Sequence, residues 1–588
     1  MQDKKTKGNE QGTQRGMSAF YNAIFTSIDV GGRLTRRARS LASFRPIKLL
    51  GAAVQSASYA STRTYGWFSM SFGLVSLFLH LAEYYFSSAP SEQLSQLVIG
   101  AVFAILSIPL MLVDIPMCEA LQRFPITDYI IFEFFSVKRL AEDKSRKKGR
   151  PIIGMIIGFI PAIFGFFFPM ELVVLVMGIM LLVTVSFVSP EFPFFLMLML
   201  VPYVSLFRYS DIVLVAISLL SLLSFFAKVL LGKRYYSVGI SDICMLVFAA
   251  VIVVFGVIGG GEASTRISLV LVALSFSYIP ATNIIVNRRL ADCAVDSIVF
   301  SAFPVAAIAI AEYICSLLSA SRAPSSSVMS SPYVLATYLS VAIVLAAYSV
   351  GGVRGAVKRA IYIALLPVLA IALFTTECLP VSIVLVATVI AALIARRRRV
   401  PKELLLAVAL LPPLVFFLPT SVLSSISSVS PMSVTLVELR EGFLRALDAF
   451  GESVVVGVGA ADLSGEASGA VLNTILGVAS RFGIFAVIVL CFVFVIRLRQ
   501  DSVYAGFLKS SQLFVFSNMT TVAMFCMATC GWFCDVFADL GLYSLFFVLF
   551  GLNTAALRTS KHEYEERVGY FRDQKDIDSS TVDVFLRR

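Results

Sequence analysis

The stretch VTLVELREGFLRALDAF places one arginine where it could do chemistry. Leu436, Leu439, Phe443, Leu447 and Phe450 recur at three- and four-residue steps, which predicts an amphipathic helix lying along a membrane surface. At about 100° per residue, Glu438, Glu441, Arg445 and Asp448 fall on the wet face, whereas Arg440 falls within roughly 40° of the centre of the apolar stripe. Arg445 has carboxylates at i−4 (Glu441) and i+3 (Asp448) and reads as self-neutralised. Arg440 has no such partner on its side. A guanidinium at headgroup depth either grips a diphosphate bidentately or snorkels to the interface, and periodicity does not separate the two.

Other chemistries are scarcer. His80 and His562 are the only histidines, so there is almost no imidazole for metal or acid–base sites. The nine cysteines are dispersed through apolar runs and do not form a disulfide framework. Cys526, Cys530 and Cys534 share a helical face at i, i+4, i+8, but with neither a histidine nor a fourth cysteine nearby in sequence they read as packing residues.

The elements that must position these residues are membrane spans. The chain has 588 residues, 58% hydrophobic and 14% charged, with a net charge of +11 and a mean hydropathy of +0.87. That balance excludes a soluble enzyme, a disordered chain and a collagenous one. The expected fold is an all-α polytopic membrane protein of about 14–16 transmembrane helices, near 65–86, 95–114, 151–169, 171–189, 191–207, 211–231, 243–260, 267–286, 297–319, 333–352, 360–377, 380–395, 404–419, 480–497, 512–532 and 537–557. The closely spaced segments of 151–207 read as three crossings or as two with a re-entrant piece.

Alternate loops carry the basic residues. Lys138/Arg139 with Lys144 to Arg150, Lys233/Arg234, Arg288/Arg289, Arg354/Lys358/Arg359, Arg396 to Arg399 and Arg497/Arg499/Lys509 fall on the side of the basic N-terminus, whereas Ser87 to Gln93, Gly259 to Arg266, Ser319 to Pro332 and Glu377 to Pro380 fall on the other. By the positive-inside rule, both ends of the chain are expected in the cytoplasm, and the +11 charge reads as orientation plus anionic-lipid contact, with no nucleic-acid partner. The expected organisation is a basic cytoplasmic region over 1–63, a two-helix membrane unit with a basic loop over 64–150, a transmembrane core over 151–419, a long external loop over 420–479, further spans over 480–557 and a cytoplasmic tail over 558–588. The loop opens Ser-rich, from Ser421 to Ser433, before the amphipathic segment.

At this loop the sequence resembles the O-antigen ligase / Wzy-type polymerase superfamily of bacterial membrane glycosyltransferases. The likeness is carried by Arg440 at the start of an amphipathic stretch, Gly457-Val458-Gly459, Leu472-Asn473 and Arg481-Phe482-Gly483, in that order. Arg63 to Gly73, Ile99 to Met111, and Ser189 to Phe195 with Pro202 are similar to segments of the Gram-positive members. The resemblance implies a GT-C-like fold in the bacterial cytoplasmic membrane, using no cofactor or metal. Glycan would pass from an undecaprenyl-diphosphate carrier to a glycan or lipid acceptor hydroxyl on the outer face, beside other polysaccharide-assembly proteins.

Displacing a polyprenyl diphosphate requires fixed cations. Arg440 fits best. Arg266, at the outer start of a span, and Arg208, expected to pair with Asp211, are weaker. Asn473 matches the family asparagine and would orient the acceptor. The family histidine is Leu472, so the base would be Asp462, Glu466 or Glu312, the last either an intramembrane carboxylate base or a protonated acid hydrogen-bonded between helices. Other readings are a catalyst relying on leaving-group stabilisation, a lipid-linked glycan flippase or exporter, and a non-catalytic relative acting in envelope assembly.

Overall fold

The structure is a computed structural model. It describes residues 28–31, 33, 49, 56–57, 59–86, 90–135, 150–207, 209–234, 236–319, 323–352, 355–398, 403–429, 433–459, 473–508, 513–561 and 563. Arg208, Asp462, Glu466, Leu472 and His562 lie outside the described residues.

Without water to satisfy the backbone, an apolar run of sufficient length closes its hydrogen bonds internally as a helix. Each of the sixteen apolar segments contains a helix or a helix pair. Among the described residues, ten helices are long and apolar enough to cross a membrane, and the chain is a helical multi-pass membrane protein. Five segments form shorter apolar helices, at Leu97–Leu112, Pro151–Phe167, Glu191–Leu206, Leu379–Ile394 and Phe514–Cys530. The segment near 404–419 is a pair, Ala407–Phe417 and Thr420–Ser427, bent by 107°.

The chain divides into two compact units. The first comprises residues 34–193 and 223–233. In it α1 (Thr62–Phe86), α2 (Pro90–Leu112) and α3 (Pro151–Phe167) pack through glycines, followed by α4 (Met170–Val188). A Cβ on Gly154 or Gly158 would stand 2.3 Å from the Thr64 or Phe68 carbonyl, and one on Gly73 2.5 Å from the Ala104 amide nitrogen. Small residues drive such contacts in membranes because they let backbones approach. Since α3 joins α1 and α2, this unit runs past the expected boundary at 150.

The second unit comprises residues 1–33, 194–222 and 234–588. Its helices include α5 (Ile240–Gly259) and α6 (Gly261–Ile284), which form a hairpin turned at Gly261 (φ +67°), then α7 (Arg288–Leu318), α8 (Pro332–Gly352), α9 (Ala356–Thr375) and α10 (Leu379–Arg398). They continue as α11 (Glu403–Leu410), a 3₁₀ turn at Pro412–Phe417, α12 (Thr420–Val429), α13 (Leu436–Glu452), α14 (Thr474–Leu508), α15 (Phe514–Cys530) and α16 (Leu540–Lys561). α16 is the most enclosed span, with 94% of its apolar window buried.

Contacts in this unit sort the helix ends into two groups. Arg558 pairs with Asp242, Lys358 with Asp296 at 2.6 Å, and Thr559 donates to the Ile285 carbonyl, all at the end carrying the basic loops. Ser325 N donates to Thr375 O and Thr474 N to Gly531 O, at the other end. This is the alternation expected of successive crossings. A short strand pairing joins Ile28–Asp29 to Ser237–Val238.

The Ser-rich opening of the expected loop is helical. In α12, Ser424 and Ser425 donate to Ser421 O and Ser427 to Leu423 O, so the hydroxyls satisfy themselves on the preceding turn.

Candidate functional site

α13 forms where the periodicity placed it and starts with a capping box. Thr435 Oγ1 accepts from Glu438 N at 3.2 Å, and Glu438 Oε2 accepts from Thr435 N at 2.8 Å. Leu436, Leu439, Phe443 and Ala446 are buried, while Leu447 is exposed. The helix therefore packs into the protein along a stripe displaced from the sequence-derived one. Phe443 stacks on Phe416, ring centroids 4.8 Å apart. Beside this stack, half-buried Arg440 donates from Nε to Phe416 O at 3.1 Å. That bond fixes the guanidinium plane and leaves both Nη groups without a carboxylate from any described residue. Arg445 donates to the backbone carbonyl of Glu441, at 3.4 Å, and meets no carboxylate of a described residue.

Directly after α13, Val454 to Gly459 form a strap across a break in α14. Gly483 has φ +74° and ψ 179°, which interrupts that helix and frees the backbone groups around it. The strap satisfies them: Val458 N donates to Ser480 O at 2.7 Å, Gly459 N to Arg481 O at 3.2 Å, and Ile484 N to Val454 O at 2.9 Å. Gly457 (φ +79°) and Gly459 (φ +92°) supply the turn. A Cβ on Gly483 would lie 2.0 Å from Val455 O and one on Gly457 2.5 Å from Arg481 O, so only glycine fits either side of the contact. The α5–α6 hairpin tip closes the other face, where a Cβ on Gly259 would be 3.1 Å from Gly457 O.

The first turns of α14 are fastened to the segment 531–537. Asn473 is 1% exposed; its Oδ1 accepts from Leu476 N at 3.0 Å as a helix cap, and its Nδ2 donates to Trp532 O. Its amide is thereby committed to structure in this conformation, not to an acceptor hydroxyl. Thr474 Oγ1 donates to Cys534 O and accepts from Val536 N. Arg481 forms a buried ion pair with Asp535 at 2.6 Å, and Asp535 also accepts from Phe537 N. Burial pushes the Asp535 carboxyl above its usual range, and Arg481 pulls it partly back.

The remaining sequence candidates are dispersed. Asp211 is paired with Arg266, at 3.0 Å, a surface bridge whose arginine side chain is 73% exposed. The α5–α6 hairpin brings Arg266 beside the carboxylate expected for Arg208, which itself lies outside the described residues. Glu312 is exposed rather than held between helices, and it accepts from Ser325 Oγ at 2.7 Å and Ser327 N at 2.9 Å. It thus clasps the α7–α8 connection, in which Ser327 has φ +51°. Cys526, Cys530 and Cys534 are buried, and among the described residues no cluster of metal-ligating side chains could hold an ion.

Several residues read as loop charges are internal. Arg497 is 1% exposed and donates to Asn553 and Gln500, Lys358 meets Asp296 beside Tyr362, and Arg558 meets Asp242. Some of the basic residues near helix ends are therefore bound within the protein, Arg497 fully and Lys358 and Arg558 through aspartate pairs. Charge counting missed these residues; an arginine or lysine one turn inside an apolar helix end was the available signal.

Neither the protein-family models nor the curated proteins compared with this chain match it.

Proposed function

We propose that this protein transfers or polymerises glycan from an undecaprenyl-diphosphate carrier onto an acceptor hydroxyl at the outer face of a bacterial cytoplasmic membrane, as a relative of the O-antigen ligase / Wzy-type polymerases with a GT-C-like fold. The single observation that carries the reading is the Arg440 guanidinium, held by Phe416 O through Nε and with neither Nη group meeting a carboxylate of any described residue, at the helix ends opposite the basic loops. A diphosphate leaving group developing charge there would be met by two parallel donors. Glu312 already accepts two hydrogen bonds and Asn473 caps a helix, so of the described candidates Arg440 supports leaving-group stabilisation, while Asp462 and Glu466 stay as the candidate bases outside the described residues. Basic loops on the cytoplasmic side would put both ends of the chain there.

A second reading, a lipid-linked glycan flippase or exporter, is favoured by the break at Gly483, the 107° bend and the charges buried across several helices. Discontinuous helices and distributed intramembrane charges are common in transporters. The protein in nanodiscs with an undecaprenyl-diphosphate oligosaccharide and acceptor glycan separates the two. Transfer that falls at least a hundredfold in Arg440→Ala supports the first; transfer undiminished in that variant sinks the site assignment. Translocation in vesicles without transfer supports the exporter.

A further inference from the structure

Arg481 joins two contacts on one residue. Its side chain is pinned by Asp535, and its backbone carbonyl receives the Gly459 amide. Ser480 and Ile484, on either side, complete the docking of the strap. The strap begins at the residues that end α13, so there is no slack between the broken turn and the helix carrying Arg440. We propose that Arg481 is a positioning residue: paired with Asp535 it fixes the broken turn of α14, the turn holds the strap, and the strap sets where the Arg440 guanidinium stands. This rests on the reading of Arg440 as the diphosphate ligand only for its catalytic consequence; the mechanical linkage stands on the contacts.

The geometry excludes a looser arrangement. Backbones meet at Gly457 and Gly483 where side chains would collide, with Gly259 in tight contact behind them, so a shift of the broken turn is poorly absorbed locally and passes to α13. The ion pair fastens the broken turn to a segment 54 residues further along the chain, and each partner would be left as a buried charge without the other. Charge reversal of both partners preserves the fastening; neutralising either one releases it.

Hydrogen–deuterium exchange on the full-length protein in nanodiscs tests the linkage without any assay of activity. In Asp535→Asn, and in Arg481→Gln, peptides covering Val454–Gly459 and the Arg440 segment of α13 should exchange at least tenfold faster, and the exchange should return towards wild type in Arg481→Asp/Asp535→Arg. Should Arg481→Gln not fold, the near-isosteric Asp535→Asn carries the test. Strap exchange unchanged in the folded variant overturns the proposal, as does faster strap exchange with α13 unaffected. With the undecaprenyl-diphosphate oligosaccharide as probe, kcat in Asp535→Asn should fall about tenfold with KM within twofold. Faster exchange with undiminished kcat also overturns the positioning role. A wild-type protein that transfers no glycan refutes the transfer reading alone, since the exchange data still decide the linkage.

Discussion

In the α1–α3 bundle, Gly154 and Gly158 bring two helices together so closely that a Cβ would touch the Thr64 and Phe68 carbonyls, yet both helices run through unbroken. At the strap, Gly457 and Gly483 bring backbones as close, but there the helix is interrupted and its freed groups are satisfied by another segment. The first arrangement needs no charge among the residues in contact. The second is accompanied by the buried Arg481–Asp535 pair. The difference teaches that close packing by glycine has two uses in this molecule: one makes a scaffold whose hydrogen bonds are self-contained, the other makes a junction whose hydrogen bonds depend on a remote segment staying in place.

Substitutions should separate these uses. The largest effect is expected from Gly483→Val, which adds both a disallowed backbone conformation and a clash with Val455 O, together about 3–6 kcal/mol. Size-exclusion and thermal unfolding should show no folded species, and a melting point near wild type would contradict the junction. Asp535→Leu should destabilise by about 3–5 kcal/mol by stranding Arg481, whereas Arg481→Met/Asp535→Leu should recover most of that loss in a double-mutant cycle, because two apolar groups remove both desolvated charges. Next is Cys378, in the turn between α9 and α10 at the same end, whose thiol burial pushes up from 9.0 to about 11. A raised thiol value makes the reactive thiolate scarce. Alkylation at pH 8 should therefore run at least a hundredfold below an ordinary thiol, the 1% exposure of Cys378 adding to the scarcity of thiolate, and rise about tenfold per pH unit until near pH 11, read by mass spectrometry. Smallest is Gly158→Ala, about 1–3 kcal/mol as α3 is forced from α1. Strap exchange should be unaffected; a change there would mean that the two glycine contacts are not independent.

The helices were legible because lipid-length apolar runs have few alternatives, and α13 because its 3.6-residue period survives in sequence. Its exact buried face was not: Leu447 fits the stripe as well as Ala446, and only packing against Phe416 decides. Gly483 stood out only within the matched Arg481-Phe482-Gly483 motif and not as a helix break, since a glycine in an apolar run is ordinary in membrane helices. Asp535 was silent because its partner is far away in sequence, and Arg497 was read as a loop charge because counting basic residues cannot tell a helix end in water from one in protein. Asn473 did carry a local signal, an asparagine directly before a helix, which is as much a cap pattern as a family motif.

The enclosure of α16 has a consequence in time. This helix emerges from the ribosome after every span that surrounds it, yet nearly its whole apolar window ends up against protein. It cannot simply be added to the outside of a finished bundle. The earlier helices must keep a slot open, with the faces around Phe248, Tyr278 and Phe494 temporarily lined by lipid, until residues 540–561 enter and Arg558 reaches Asp242. A span made after all the helices that enclose it is therefore the keystone of this unit, and an assembly intermediate stalled before it should be open along the very interior that the mature protein hides.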